Sequence, residues 1–343
     1  MSSSRSVVRK LVIMSMAVAV ATCVFGKTIF VSSSANDGDG SLRVSLAGAE
    51  DGDVIRLTTT APIKLTSGLT IPYGRFGALG LTLEGIGDKR ILDGGNSTQI
   101  LNILPDNKIV LSNLILKNGR VSNAGGAICN DSSSLTICNC EFIDNVAEQP
   151  LEDHGATYGG ALYNSDGNVQ ITNCVFSGSY VNAERYATVG GINTEVGGAI
   201  CSKGGSLKVN TSNFNDNWSR NNGGAVFCSG GILTLENCSF KENISWSPQF
   251  GANASVVCCL DGEFEIYDSD FTNNSRFTNA AERASFLAGT FTSRKGFAVS
   301  SGSGEPRSCH RNSTYSPRVS GSGTVSCGAA SSAGSSSGRG YPS

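Results

Sequence analysis

The chain has 343 residues, long enough for one large domain or two ordinary ones. With 26 basic and 28 acidic residues its net charge is −2, too weak a field to draw in nucleic acid or an anionic membrane, and neither is expected as a partner. Glycine is abundant at 43 residues and proline scarce at 8, which points to many tight turns and excludes a collagen-like or proline-rich chain.

Arg5, Arg9 and Lys10 precede an apolar run from Leu11 to Ala21, and Val24 and Gly26 stand at the −3 and −1 positions before Lys27. This is the layout of a secretory signal peptide over residues 1–26. Val20-Ala21-Thr22-Cys23 also has the form of a lipoprotein cleavage box, which Thr22 fits poorly. No other stretch approaches the ~20 apolar residues of a membrane helix. The chain as given is therefore expected to be exported and not integral to a membrane.

Residues 27–108 read as an N-terminal cap and the first coils of a solenoid. Asp53-Val-Ile-Arg-Leu57, Ile63-Lys-Leu65, Leu69-Thr-Ile71 and Leu81-Thr-Leu83 alternate apolar with other residues, the period of a strand with one buried face. A cap is expected because an open solenoid end exposes unpaired strand edges.

A repeat occupies 109–286. Four blocks carry two glycines, an alanine and an aliphatic residue: Gly125-Gly126-Ala127-Ile128, Gly159-Gly160-Ala161-Leu162, Gly197-Gly198-Ala199-Ile200 and Gly223-Gly224-Ala225-Val226. Phe142, Phe176, Phe214 and Phe240 each stand 17 residues after the first glycine, and Phe271 stands 17 after Ala254 of a degenerate fifth copy. The residues before each Phe alternate, as in Leu135-Thr-Ile-Cys-Asn-Cys-Glu-Phe142. Asn139, Asn173, Asn237 and Asp268 mark a bend, since these side chains tolerate the left-handed conformation. A small inward residue follows at Cys140, Cys174, Ser212, Cys238 and Ser269, and Ile109 to Leu116 is a fainter copy with Leu116 in the Phe place. Short strand, bend and short strand at intervals of 34, 38, 26 and 31 residues make a coil. The expectation is an all-β fold, a right-handed single-stranded parallel β-helix, with the variable stretches as loops on one edge. Residues 287–343, dominated by Ser and Gly, cannot bury enough surface to fold alone and are expected to be disordered. They read as a linker, a wall-spanning segment, or a non-native end left by truncation or frameshift.

The Gly-Gly-Ala element pairs with Phe-x-x-Asn, present as Phe142 to Asn145, Phe214 to Asn217, Phe240 to Asn243 and Phe271 to Asn274, and broken at Phe176-Ser-Gly-Ser179. This pairing resembles the repeat of the chlamydial polymorphic outer membrane proteins and related bacterial β-helix surface proteins. Asp37-Gly-Asp-Gly-Ser-Leu-Arg43 is similar to an element near the start of such proteins. The resemblance covers roughly 30–280 and implies a surface-exposed passenger that adheres to host cells or other surfaces. No run of ~10-residue alternating strands follows, so the repeat carries over and the membrane barrel does not.

Parallel β-helices also host polysaccharide lyases and hydrolases, but a fold does not assign a function. There are two histidines, His154 in a loop and His310 in the tail, and no pair for acid/base or metal chemistry. Asp37 and Asp39 read as a turn, Asp268 as a bend cap, Asp270 as outward, and Asp261 stands near them with no assigned role. Neither catalytic residues, nor a cofactor, nor a metal is expected. The 12 cysteines suit an exported chain. Cys140, Cys174 and Cys238 share one expected inward place, and Cys129, Cys201 and Cys258 another. Stacked free thiols in a buried ladder are the expectation, with Cys259 outward; a Cys140–Cys174 bridge needs ~0.5–1 Å of approach. Nine Asn-x-Ser/Thr sequons occur, including Asn130, Asn217 and Asn243. Trp218 and Trp246 are placed in inter-repeat loops. The expected function is a non-catalytic adhesin or interaction scaffold, secreted or at the cell surface in association with an outer membrane. Its partner would be a cell-surface protein or glycan. The alternative is a pectate-lyase-like enzyme acting on acidic glycans.

Overall fold

The computed structural model describes residues 26–73, 77–148, 157–182, 196–220, 222–246, 256–260, 262–277 and 299–302. Apart from Gly26 the signal-peptide segment lies outside them, as do residues 303–343 of the tail. The strands form four all-parallel sheets, numbered here as walls in the order one coil meets them. Ile128–Asp131 belongs to wall I, Ser134–Cys138 to wall II, Glu141–Ile143 to wall III and Val146–Glu148 to wall IV. The chain then re-enters wall I at Leu162–Ser165. Walls I and III hold eight strands, wall II nine and wall IV six. The chain is a parallel β-helix.

Register follows the repeat. In wall II, Leu135 lies beside Val169, then Leu207, Leu233 and Phe264, so each inward side chain sits on its counterpart in the next coil. In wall III, Phe142, Phe176, Phe214, Phe240 and Phe271 register in one column, continued downward by Leu116, Leu92 and Ile63. Successive rings lie 4.5 to 5.0 Å apart and within 3° to 5° of parallel. In-register parallel strands impose this: equal rotamers repeat at the strand spacing, an offset stack that aromatic rings favour. All these residues belong to one continuous apolar core except Phe264, which is partly buried and packs against it.

Three of the four corners obey one rule. Two residues separate the strands and the first adopts positive φ; between walls II and III and between walls III and IV the second points inward, whereas between walls I and II it is Ser133 or a glycine. Between walls II and III the first residue is Asn113, Asn139, Asn173, Thr211, Asn237 or Asp268, all at φ between 42° and 56°. Between walls III and IV it is Asn118, Asp144, Gly178, Asp216, Glu242 or Asn273. Asn, Asp and Gly dominate because they enter the left-handed region at least cost.

The inward second residue takes a backbone N–H from the preceding coil. Cys140 N donates to Cys174 Sγ (3.4 Å), Cys174 N to Ser212 Oγ (3.1 Å) and Cys238 N to Ser269 Oγ (3.1 Å). Cys and Ser interchange here because each offers an acceptor on a short stem. At the next corner the Phe-x-x-Asn amides do the same. Asn217 Oδ1 accepts from Ser179 N (3.1 Å) and its Nδ2 donates to Phe176 O (3.0 Å). Asn145, Asn243 and Asn274 repeat the pattern on Leu116, Phe214 and Phe240. These amides are wholly or almost wholly buried yet satisfied, so they fix the stacking distance between coils. Asn130, Asn217 and Asn243 are also sequons, and with no exposed surface they accept no glycan in the folded chain.

The paired glycines mark the fourth corner, where wall IV crosses against the start of wall I. A Cβ on Gly126 would stand 2.4 Å from Gly160 O and 2.5 Å from Val146 O, and one on Gly160 2.3 Å from Gly198 O. Backbone occupies the space a side chain would need. Gly125, Gly159 and Gly223 add positive φ to the same turn, and Gly197 leaves no room for a Cβ, which would lie 1.8 Å from Ile200 O.

A short helix, Leu42–Ala47, closes the N-terminal end, an element the all-β reading of the sequence did not contain. Ser41 caps it through Val44 N, and Leu42 and Leu46 are buried in the end of the core. Arg43 clips the helix to the coil beneath: Nη1 donates to Gly68 O (2.8 Å), and Nη2 to Ser67 O (2.6 Å) and Asn36 Oδ1 (3.1 Å). The Gly-Ser-Leu-Arg element is thus a cap clasp. Arg43→Ala is expected to lower the stability of the first coils by about 2–3 kcal/mol, since hydrogen bonds to a charged donor are lost and carbonyls left unmet. Faster amide exchange over Thr28–Val31 and Leu69–Ile71, with the central coils unchanged, is the readout.

Val299–Gly302 pairs in parallel with Val257–Leu260, so four residues of the 287–343 stretch, expected to be disordered, add a strand to wall I.

Candidate interaction edge and face

The three rule-bound corners never vary in length along the repeat. All variation falls on the fourth connection, from wall IV back to wall I: residues 122–127, 149–161, 183–199, 220–225, 247–256 and 278–298 in successive coils. Insertions therefore leave from a single longitudinal edge. Lengthening a connection there leaves the register of every wall untouched, because the neighbouring corners are pinned by the Asn, Cys and Ser hydrogen bonds described above.

Two outer faces flank this edge. On wall IV, Arg120, Val146, Tyr180, Trp218 and Ile244 form a row by register. The Tyr180 and Trp218 rings lie 5.9 Å apart at 54°, both half-buried. Glu148 and Asn182 lie on the same face: the Arg120 guanidinium pairs with the Glu148 carboxylate, and Asn182 Nδ2 donates to Glu148 Oε1 at 3.3 Å. Trp218 thus stands in the strand Trp218–Ser219 and Trp246 at the end of Ile244–Trp246, which corrects their placement in loops. Those strands are so short that no alternation signals them.

On wall I the outward row is Cys129, Tyr163, Cys201, Phe227 and Cys258. Here the sequence-based expectation needs a second correction. The residue three after the first glycine, Ile128 or its equivalent, points into the core, so the residue four after it points out. Cys201, Phe227 and Cys258 form a separate apolar cluster on the outer face, against Tyr158 and Tyr163, and are no part of an inward thiol ladder. Cys259, expected outward, is inward and belongs to the main core. Tyr158 stacks on Tyr163 (5.1 Å, 18°), with Lys203 Nζ 4.8 Å from the Tyr158 centroid.

Burial, with the Asp131 carboxylate adding to it, pushes the Cys129 thiol up to about 11, and burial pushes the Tyr163 phenol up to about 12. Both stay protonated at neutral pH, and a protonated thiol is a poor nucleophile. Among the described residues no group of three or more His, Cys, Asp or Glu is placed to hold a metal. Asp37 accepts from Gly38 N within a turn (2.7 Å), Asp268 occupies a left-handed bend and Asp270 is exposed. His154, His310 and Asp261 lie outside the described residues.

The inner row of wall I was not anticipated as a row in the sequence. Asn130, Asn164, Ser202, Cys228 and Cys259 form an inward row, with Asn130 Nδ2 donating to Asn164 Oδ1 (2.8 Å) and Asn164 Nδ2 to Ser202 Oγ (2.9 Å).

One coil matches a known family repeat. Residues 211–229 match the Chlamydia polymorphic membrane protein repeat. The matched segment runs from the Thr211 bend through Phe214 and Asn217 to Gly223, Gly224 and the strand Val226–Ser229. It contains both halves of the motif and one of the two shortest wall IV to wall I connections, so the two halves meet with little inserted between them. The match covers this one repeat of the chain. No curated protein matches the chain. Among the described residues no helix is long and apolar enough to cross a membrane.

Proposed function

We propose that the chain is a secreted or cell-surface interaction scaffold, an adhesin, whose binding surface is the wall IV to wall I edge with the Tyr180–Trp218 face beside it. The confinement of all length variation to that edge carries this reading, because binding residues concentrate on connections held by a rigid frame. The Chlamydia polymorphic membrane protein repeat supports it. In this reading residues 1–26 direct export, 27–108 cap the helix, and 109–286 present the edge to a protein or glycan on another cell. Aromatic rings beside a paired carboxylate, guanidinium and amide suit either partner, offering apolar area and directional hydrogen bonds together.

The test is binding of the fluorescently labelled full chain to cultured epithelial cells by flow cytometry. Deleting 183–195, or replacing Trp218 by Ala, is expected to lower binding at least several-fold with the β-sheet circular dichroism unchanged. Equal binding by both folded variants would overturn the reading. So would release of unsaturated or reducing ends from acidic polysaccharides incubated with the chain, with or without Ca²⁺.

A further inference from the structure

Nine cysteines lie among the described residues, and register sorts them. Cys129, Cys201 and Cys258 share the outer row of wall I, but Tyr163 and Phe227 separate them. Cys138 stands between Ser112 and Thr172 in wall II. Cys238 occupies the corner column between Ser212 and Ser269. Two pairs remain in which cysteine meets cysteine on successive coils.

Cys140 and Cys174 hold the same inward corner place, both essentially without exposed surface and joined by the 3.4 Å N–H to sulfur contact. Cys228 and Cys259 are direct register partners in wall I, both inward and both wholly buried. All four side chains lie in the main apolar core. In-register parallel neighbours lie ~4.8 Å apart, inside the ~4.4–6.8 Å range that Cα atoms of a cystine span, and the Cβ atoms must close by the ~0.5–1 Å that a bridge needs.

We propose that Cys140–Cys174 and Cys228–Cys259 are cross-linking sites, each oxidised to a cystine that ties one coil to the next when the chain folds with a disulfide oxidant present. The oxidant class is a small disulfide such as glutathione disulfide. One cysteine thiolate attacks it and expels a glutathione thiolate; the second attacks the mixed disulfide at the protein sulfur and expels the other. Each cystine forms with loss of two protons and two electrons, and one glutathione disulfide becomes two glutathiones. Burial sets the timing. The second coil of each pair covers the first, so oxidation accompanies the docking of coils and the finished cystine is shielded from reductants. The remaining five described thiols have no cysteine neighbour in register and stay reduced.

The full chain is refolded once with mixed oxidised and reduced glutathione and once with dithiothreitol, then denatured, alkylated and mapped by peptide mass spectrometry. The oxidised sample is expected to show cystine peptides joining Cys140 to Cys174 and Cys228 to Cys259, with Cys129, Cys138, Cys201, Cys238 and Cys258 alkylated. Cys140→Ser keeps the fold, because Ser212 and Ser269 hold the same place, and should lose the first cystine while leaving Cys174 alkylated and the second intact. The oxidised chain is expected to unfold at higher urea than this variant. Alkylation of both pairs in the oxidised sample, or pairing of Cys140 or Cys228 with any other thiol, would overturn the proposal.

Discussion

Replacing Phe214 by Ala is expected to cost about 4–8 kcal/mol and to break the cooperativity of unfolding. The size follows from two contributions. Removing a buried phenyl ring costs about 3–5 kcal/mol through lost transfer energy and the cavity left behind. Phe214 also stacks on Phe176 (5.0 Å) and Phe240 (4.7 Å), and aromatic pairs add about 0.5–1.5 kcal/mol each beyond area. The cavity cannot close easily, because backbone hydrogen bonds on both sides hold the coils at strand spacing. In a solenoid each coil contacts only its neighbours, so a weakened interface at 214 separates the coils before it from those after it. Urea unfolding followed by circular dichroism should show an earlier transition, broadened or split in two. Phe214→Leu should cost much less, since Leu116 occupies that column natively. Phe30→Ala, at a ring that is 59% exposed, should change stability by no more than about 0.5 kcal/mol. A Phe214→Ala effect no larger than that of Phe30→Ala would refute the column as the core of the fold.

How much of this was legible beforehand depended on local signal. Walls II and III could be read because five-residue alternations such as Ser134-Leu-Thr-Ile-Cys138 and a constant Gly-to-Phe spacing survive in the four clear repeats. The bends at Asn139, Asn173, Asn237 and Asp268 announced themselves by residue type and adopt positive φ. Wall I misled the reading because Ala127 and Ile128 are buried in succession at the turn, so alternation restarts one residue later than a count from the glycines suggests. That single shift exchanged the faces of Cys258 and Cys259. Wall IV was illegible for a different reason: Val146–Glu148 and Trp218–Ser219 are too short to show a period. The buried Asn and Ser residues look like surface composition in a linear sequence. What makes them interior is the backbone of a coil 26 to 38 residues away, which satisfies them. The helix Leu42–Ala47 is too short for a 3.6-residue stripe.

The face proposed for binding rests on the paired glycines, and there a single methyl group should be costly. A Cβ on Gly198 would lie 2.0 Å from Gly224 O, 2.7 Å from Trp218 O and 2.8 Å from Trp218 C, every one a backbone atom that no rotamer change can move. Gly198→Ala must therefore push the strand Trp218–Ser219 away from wall I or break the bond from Gly198 N to Gly223 O (2.8 Å). Overpacking a rigid site costs about 1–3 kcal/mol, and with a backbone hydrogen bond strained as well the expected loss is about 3 kcal/mol or more. Gly48→Ala is the fitting comparison: its nearest neighbour, Val44 O, is at an ordinary 3.6 Å, so the change should be tolerated. Because Trp218 is carried on the displaced strand, Gly198→Ala should also shift tryptophan fluorescence and weaken cell binding, even at urea concentrations where the other coils stay folded. A Gly198→Ala chain as stable as Gly48→Ala, with unchanged fluorescence, would mean that wall IV does not press on the glycines. The rigid presentation of Tyr180 and Trp218 would then need another cause.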